Sequence, residues 1–163
     1  MEKQSLCTDD CVDEVINLYL NMVFRLAFAR IRNKHDAEDI TQEVFLRYIS
    51  KPRIFESEEH RRNWLIRVTI NRSKTLWTDL FRKTVPLDES IPFIEKEHKD
   101  LFEYLVLLPK KYRTVVHLFY NEEFSIKQIS VALNAKESTV RTWLTRARAM
   151  LREKLKGDYF NEQ

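Results

Sequence analysis

Residues 125–150, SIKQISVALNAKESTVRTWLTRARAM, decide the fold of this chain. Ser125, followed three positions later by Gln128, forms a capping box, which marks the start of a helix. This short helix is expected to end near Asn134, and a longer one to run from about residue 136 to 156. Apolar residues recur along the longer helix at steps of four, three and four, at Val140, Leu144, Ala147 and Leu151. A short capped helix, a tight turn and a longer helix with one buried stripe predict a helix-turn-helix.

The outward side of the longer helix carries hydrogen-bonding and cationic side chains. The second helix of a helix-turn-helix lies in the DNA major groove, so this side is expected to read base edges and hold phosphates. An ordinary solvated, arginine-rich surface is the alternative. Two helix starts are open: Lys136 lacks a side-chain acceptor but could face a phosphate, or Ser138 is the cap. The candidate duplex-binding residues are Ser138, Thr139, Arg141, Thr142, Thr145, Arg146 and Arg148.

The composition of the whole chain favours an all-α fold. The 163 residues include one glycine, Gly157, so glycine-built nucleotide loops are excluded and glycine-turned β-sheets are not expected. The net charge of +3 is unevenly distributed. Residues 61–83 carry seven Lys and Arg against one acid, and 125–156 carry eight against two. Two basic blocks indicate two contacts with a polyanion, with two solvated helix faces as the alternative.

Three further helices are predicted upstream, over about 12–32, from 36 to just before Pro52, and over 62–82, with a loop at 53–61. Asp36 is expected to cap the second of them. Residues 84–100 carry five acids against two lysines and include two prolines, which is typical of a linker. The chain is therefore predicted to form two small helical domains, 1–83 and 101–163, joined by the flexible acidic linker 84–100.

The predicted second and third helices carry opposite charge. Asp36-Ala-Glu-Asp-Ile-Thr-Gln-Glu-Val-Phe45 is acidic, which indicates either a protein partner with a basic face or a solvated face whose acids suit the helix dipole. The third helix interleaves Asn71 with Arg67, Arg72 and Lys74, a surface suited to melted DNA. Trp64 on the same helix is expected in the core.

Several classes of protein are not expected from these residues. Cys7 and Cys11 cannot supply a disulfide framework, and a metal site would need more ligands near them. The polar start 1–14 is unlike a signal peptide, and no apolar run approaches the ~20 residues that cross a bilayer. We expect a cytoplasmic protein without cofactor, metal or membrane insertion. The scattered histidines suggest no nucleophile–base pair, so no enzymatic activity is expected.

Two separate sets of motifs resemble the sigma-70-type bacterial sigma factors. Tyr19, Val23-Phe-Arg-Leu-Ala27 and the acidic stretch 36–45 resemble the second conserved region, and Trp64-Leu-Ile-Arg-Val-Thr-Ile-Asn71 resembles its promoter-melting part. The fourth region is resembled by Leu108-Pro109, Tyr112-Arg113, Thr139-Val140-Arg141 and Arg146-Ala147-Arg148. Nothing between them resembles the third region, which is typical of the extracytoplasmic-function group. The turn 134–138 departs from the family pattern because it lacks both Gly and Pro.

The resemblance implies a promoter-specificity subunit with a three- or four-helix region 2 domain and a helix-turn-helix region 4 domain. It implies that core RNA polymerase is contacted by Asp36, Asp39, Gln42, Glu43 and Phe45. It implies that the loop 54–63 and the helix after it open the minus-ten element, with Arg61, Arg62, Arg67, Asn71, Arg72 and Lys74 as the DNA-binding residues. The candidate duplex-binding residues would then read the minus-thirty-five element.

The partners implied are core polymerase, through its clamp and flap regions, promoter DNA and an anti-sigma factor. A stand-alone helix-turn-helix regulator is the alternative function. It would bind duplex promoter DNA tightly by itself, whereas a sigma factor would bind weakly without polymerase.

Overall fold

The structure is a computed structural model that describes residues 9–51, 53–82, 105 and 107–161. The described residues form helices and turns, so the all-α prediction is confirmed. The chain divides into two compact units, Met1–Glu89 and Ser90–Gln163. The predicted linker 84–100 lies outside the described residues. The helices are α1 (Asp9–Ile31), α2 (Lys34–Ser50), α3 (Glu58–Arg82), α4 (Lys110–Val116) with a wider π-helical turn (His117–Asn121), α5 (Ile126–Leu133) and α6 (Glu137–Asn161).

The first unit is a bundle in which α1, α2 and α3 each pack against the other two. Each helix places an apolar side toward the shared core. Removing one such side chain from water stabilises the fold by about 1.5–3 kcal/mol, which is why the periodic residues face inward. The most deeply buried core residues are Val23, Leu26, Ala27, Ala37, Val44, Leu65 and Ile66.

Two helix starts in the first unit differ from the sequence predictions. The N-cap of α2 is Asn33, whose side chain accepts a hydrogen bond from the Asp36 backbone N–H at 3.0 Å. The prediction that Asp36 caps this helix is therefore wrong, and Asp36 lies in the first turn instead. α3 begins at Glu58, earlier than predicted, because the Ser57 hydroxyl accepts from the His60 backbone N–H at 3.1 Å. The loop between α2 and α3 is therefore shorter than expected.

The second unit contains the predicted helix-turn-helix, formed by α5 and α6. Both hydrogen bonds of the capping box are present: the Gln128 N–H donates to the Ser125 hydroxyl at 3.1 Å, and the Ser125 N–H donates to the Gln128 side chain at 2.9 Å. α5 ends at Asn134, whose φ of 51° lies in the left-handed region that asparagine tolerates. The turn therefore closes without glycine. α6 begins at Glu137, so Lys136 precedes the helix and Ser138 lies inside it.

The core of the second unit joins the predicted stripe of α6 to α4 and α5. Val140, Leu144 and Ala147 are buried as predicted, whereas Leu151 is half-buried. Ile129 of α5 and Val115 of α4 are buried with them. The stripe thus packs α6 against both other helices and leaves the opposite side of α6 in solvent.

The capping box yields a direct stability prediction. Replacing Ser125 with alanine removes the acceptor for the Gln128 N–H, so we expect the free energy of unfolding of the second unit to fall by about 1 kcal/mol, measured by urea denaturation. The matched control is Ser130→Ala, because the Ser130 hydroxyl bonds only locally along α5, to the Lys127 carbonyl. Equal losses in the two variants would contradict the capping role.

Candidate nucleic-acid interface

The outward side of α6 exposes most of the predicted duplex-binding residues. Arg141 is exposed and forms a 3.3 Å ion pair with Glu137 one turn earlier. Such exposed pairs are worth little in water, so the Arg141 guanidinium can exchange this partner for another acceptor. The hydroxyls of Thr142 and Thr145 donate to backbone carbonyls at 2.9 Å, which fixes their orientation on this side. Ser138 and Arg146 are also exposed, whereas Thr139 is half-buried.

Arg148 is held by the π-helical turn after α4. Its Nε donates to the Tyr120 hydroxyl at 2.8 Å. Its guanidinium lies 5.6 Å from the centre of the Phe119 ring and 5.7 Å from that of Tyr120. The side chain remains exposed, but these contacts orient it toward the π-helical turn.

The predicted minus-ten residues on α3 differ in how far they are buried. Arg67, Asn71 and Lys74 are exposed at steps of four and three, so they lie on one side of the helix. Arg62 and Arg72 are half-buried. Arg61 is buried inside the bundle, 3% exposed, where its guanidinium forms an ion pair with Glu58. The structure therefore places Arg61 away from the exposed basic side of α3.

The predicted polymerase-contact residues on α2 also differ in how far they are buried. Asp39 and Gln42 are exposed, and Asp36 and Glu43 are half-buried. Burial, followed by the nearby Asp39 charge, raises the pKa of Asp36. Phe45 is 5% exposed and packs into the three-helix core. It therefore lies on the buried side of α2 and holds this helix in place.

Two apolar residues extend the exposed side of α2 and were missed by the sequence analysis. Leu46 is 64% exposed and Ile49 is 51% exposed. Together with Asp39 and Gln42 they recur at steps of three, four and three, which places all four on one side of the helix. The buried positions Ile40, Val44 and Tyr48 recur at steps of four. Leu46 and Ile49 do not fall in this series, and that mismatch is the sequence signal that could have identified them as exposed.

One ion pair connects residues that the sequence analysis assigned to different partners. The guanidinium of Arg72 on α3 pairs with the carboxylate of Glu43 on α2. Arg72 was predicted to contact DNA and Glu43 to contact polymerase. The pair therefore joins the edge of the basic side of α3 to the edge of the acidic side of α2.

An aromatic cluster forms the base of the loop 51–57 between α2 and α3. The Phe55 ring stacks on Tyr48 at 6.0 Å and meets the edge of Trp64 at 6.0 Å. The Arg53 guanidinium lies 4.6 Å from the centre of the Trp64 ring. Trp64 is half-buried, whereas it was expected in the core. No spacing along one helix identifies this cluster, because its members come from α2, the loop and α3.

Both units match models of known protein families. The model described as Sigma-70 region 2 matches residues 15–83, and that described as Sigma-70, region 4 matches residues 98–151. The ECF RNA polymerase sigma factor SigM of Bacillus subtilis is 30% identical over 155 residues, which cover 86% of this chain and 93% of SigM. The chain belongs to the extracytoplasmic-function (ECF) sigma factors of the sigma-70 family.

Other comparisons agree with this family and with the fold. The ECF RNA polymerase sigma factor SigW of Bacillus subtilis is 27% identical over 169 residues, covering 90% of each chain. The sigma factor RpoE of Bartonella quintana, solved in complex with the anti-sigma factor NepR, superposes with a TM-score of 0.73. That match covers 88% of this chain and 96% of RpoE at 20% identity, and so shows the shared fold.

Among the described residues, no group of three or more His, Cys, Asp and Glu side chains could hold a metal ion. None of the helices in the described ranges is both long and apolar enough to cross a membrane. The relatives named above are transcription initiation factors, and neither is named as an enzyme.

Proposed function

We propose that this ECF sigma factor directs core RNA polymerase to its promoters through two DNA contacts, one made by each unit. The observation that carries the proposal is the exposed polar and cationic side of α6 within a complete helix-turn-helix, in a chain that also matches region 2. The protein performs no covalent chemistry and acts in the cytoplasm. Its contribution is to position polymerase and to hold DNA that has been opened.

The second unit reads the minus-thirty-five element as duplex DNA. Ser138, Arg141, Thr142 and Thr145 lie in the N-terminal half of α6, the part of a recognition helix that meets base edges. Arg146 follows on the same exposed side and contacts either a base or a phosphate. Arg148, held by Tyr120, is suited to a phosphate at the edge of the contact.

The first unit holds the melted minus-ten element on α3. Arg67 and Lys74 supply cations along the exposed side, and Asn71 between them can hydrogen-bond an unstacked base. Arg62 and Arg72 contribute from the flank. Because Arg61 is buried, its proposed role is to support the loop before α3 instead of contacting DNA.

The exposed side of α2 docks on the clamp of core polymerase. Asp39 and Gln42 provide polar contacts, with Asp36 and Glu43 at the edge, while Leu46 and Ile49 provide apolar area. Phe45 keeps α2 in place from within the core. Interfaces of this kind combine a few apolar anchors with a polar rim. The second unit is proposed to contact the polymerase flap.

An anti-sigma factor is the further proposed partner. RpoE, which shares this fold, was solved in complex with the anti-sigma factor NepR. A protein that covers the α2 side or the α6 side would prevent polymerase or promoter binding.

Reconstituted transcription tests the proposal. The purified chain is mixed with core polymerase, and run-off transcripts from genomic fragments are sequenced. We expect transcripts that start at a fixed distance from a shared pair of promoter elements. Transcription from no fragment would overturn the proposal. Tight, sequence-specific binding of duplex DNA by the chain without polymerase would instead favour the stand-alone regulator.

The apolar residues on α2 yield a prediction for polymerase binding. Leu46→Ala removes an exposed anchor without disturbing the core, so we expect affinity for core polymerase to fall by roughly tenfold, measured by fluorescence anisotropy. Leu18→Ala is the matched control, because Leu18 is 65% exposed on α1 and outside the docking side. A larger loss of affinity for Leu18→Ala than for Leu46→Ala would contradict the contact at α2 and assign it to α1.

A further inference from the structure

A relay of four side chains runs from α1 to the loop 51–57. The Tyr19 hydroxyl on α1 donates to Oε2 of Glu58, 39 residues later in the chain, at 2.9 Å. The other oxygen of Glu58 pairs with the Arg61 guanidinium. That guanidinium lies 5.4 Å from the centre of the Phe55 ring. Tyr19, Glu58, Arg61 and Phe55 are called the Tyr19 relay below.

Two of the four relay side chains are buried. Tyr19 and Arg61 are both buried, and a buried guanidinium needs a partner for its charge. Burial, followed by the hydrogen bond to Glu58, raises the pKa of Tyr19 to about 12. The hydroxyl therefore stays protonated and continues to donate to Glu58 throughout the neutral pH range. The loss of this bond would leave Glu58 held by Arg61 alone, so both side chains would lose their attachment to α1.

The relay ends at the exposed part of the loop. Phe55 belongs to the aromatic cluster with Tyr48 and Trp64. Its neighbour Ile54 is 85% exposed, so this large apolar side chain projects into solvent beside the basic helix α3. The Glu56 backbone N–H donates to Nδ1 of His60 at 3.2 Å and ties the far side of the loop to α3. Because Phe55 packs in the cluster and Ile54 is the adjoining residue, the position of Phe55 determines where the Ile54 side chain projects.

We propose that Tyr19 is a positioning residue for minus-ten recognition, acting through Glu58 and Arg61 to hold Phe55 and the exposed loop in the orientation that meets DNA. The inference rests on the proposed function, in which the exposed side of α3 holds the melted element, and it places the adjoining loop against the same DNA. It goes beyond that function because α1 supplies none of the proposed DNA contacts. Promoter selectivity is thereby made to depend on a helix that does not touch DNA.

Tyr19→Phe tests the relay, because it keeps the ring in the core and removes only the donor. In the holoenzyme we expect the preference for the best minus-ten sequence over single-base variants to fall by about five- to tenfold, which lies within the range for the loss of one ordinary hydrogen bond. The readout is the rate of open-complex formation. The affinity for core polymerase and the preference at minus-thirty-five should remain as in the wild type. Tyr112→Phe, the same change at a buried tyrosine of the second unit, should leave the minus-ten preference unchanged.

A second variant tests the relay at Glu58, with the free energy of unfolding of each variant measured beside its promoter preference to separate positioning from a general loss of stability. The Glu58 side chain is more than half exposed, so Glu58→Gln should fold and should lower the minus-ten preference in the same direction. The double variant should be no worse than the more affected single variant, because both act through one relay. An unchanged preference in Tyr19→Phe, or an equal loss at minus-thirty-five, overturns the assignment. A wild-type holoenzyme with no minus-ten preference overturns the proposed function itself and the relay with it.

Discussion

Replacing Leu144 with alanine is expected to lower the free energy of unfolding of the second unit by about 2–5 kcal/mol. Leu144 is 1% exposed and lies in the middle of the α6 stripe. The loss has two parts, the smaller apolar area removed from water and the cavity left behind. Urea unfolding followed by circular dichroism measures it. Because α6 is the proposed recognition helix, minus-thirty-five recognition should weaken with it.

The matched control for this change is Leu65→Ala in the first unit. Leu65 is completely buried in α3, so the same truncation should cost a similar amount, but in the other unit. Polymerase binding should then fall, because it is proposed to depend on the bundle. A loss below about 0.5 kcal/mol for Leu144→Ala, the range of ordinary surface changes, would contradict the packing of α6.

Replacing Arg141 with alanine is expected to cost about 1–3 kcal/mol of promoter binding and to relax specificity at one position of the minus-thirty-five element. A guanidinium can bind two acceptors on a base edge at once, which alanine cannot replace. Since Arg141 is exposed and pairs only weakly with Glu137, folding should be unaffected. The measurement is holoenzyme transcription from promoters that carry each single-base change in the element.

Arg152→Ala is the control for Arg141→Ala. Arg152 is also an exposed arginine of α6, but it lies farther along the helix than the proposed base-reading half. Its loss should weaken binding evenly across sequences, as the loss of a nonspecific cation does, or leave it unchanged. If the two variants showed the same pattern across the promoter set, Arg141 would be a phosphate contact.

The features that could be predicted from the sequence are local. The capping box at Ser125, the end of α5 at Asn134 and the buried positions Val140, Leu144 and Ala147 of α6 depend on residues three or four apart, and each is present in the structure. Hydrogen bonds and side-chain neighbours within a helix repeat at this spacing, so the pattern of residue types identifies them. The start of α2 shows the limit of this pattern, because Asp36 was predicted as the cap and Asn33, three residues earlier, caps the helix instead.

The sequence by itself therefore determined the helices, the helix-turn-helix and the family of this chain. Only the tertiary structure decided that Arg61 and Phe45 lie inside the bundle, that Glu43 pairs with Arg72, and that Tyr19 reaches Glu58. Each of these depends on how α1, α2 and α3 pack against one another. Residues far apart in the chain meet only when the shared core orients their helices, and no spacing along a single helix encodes that orientation.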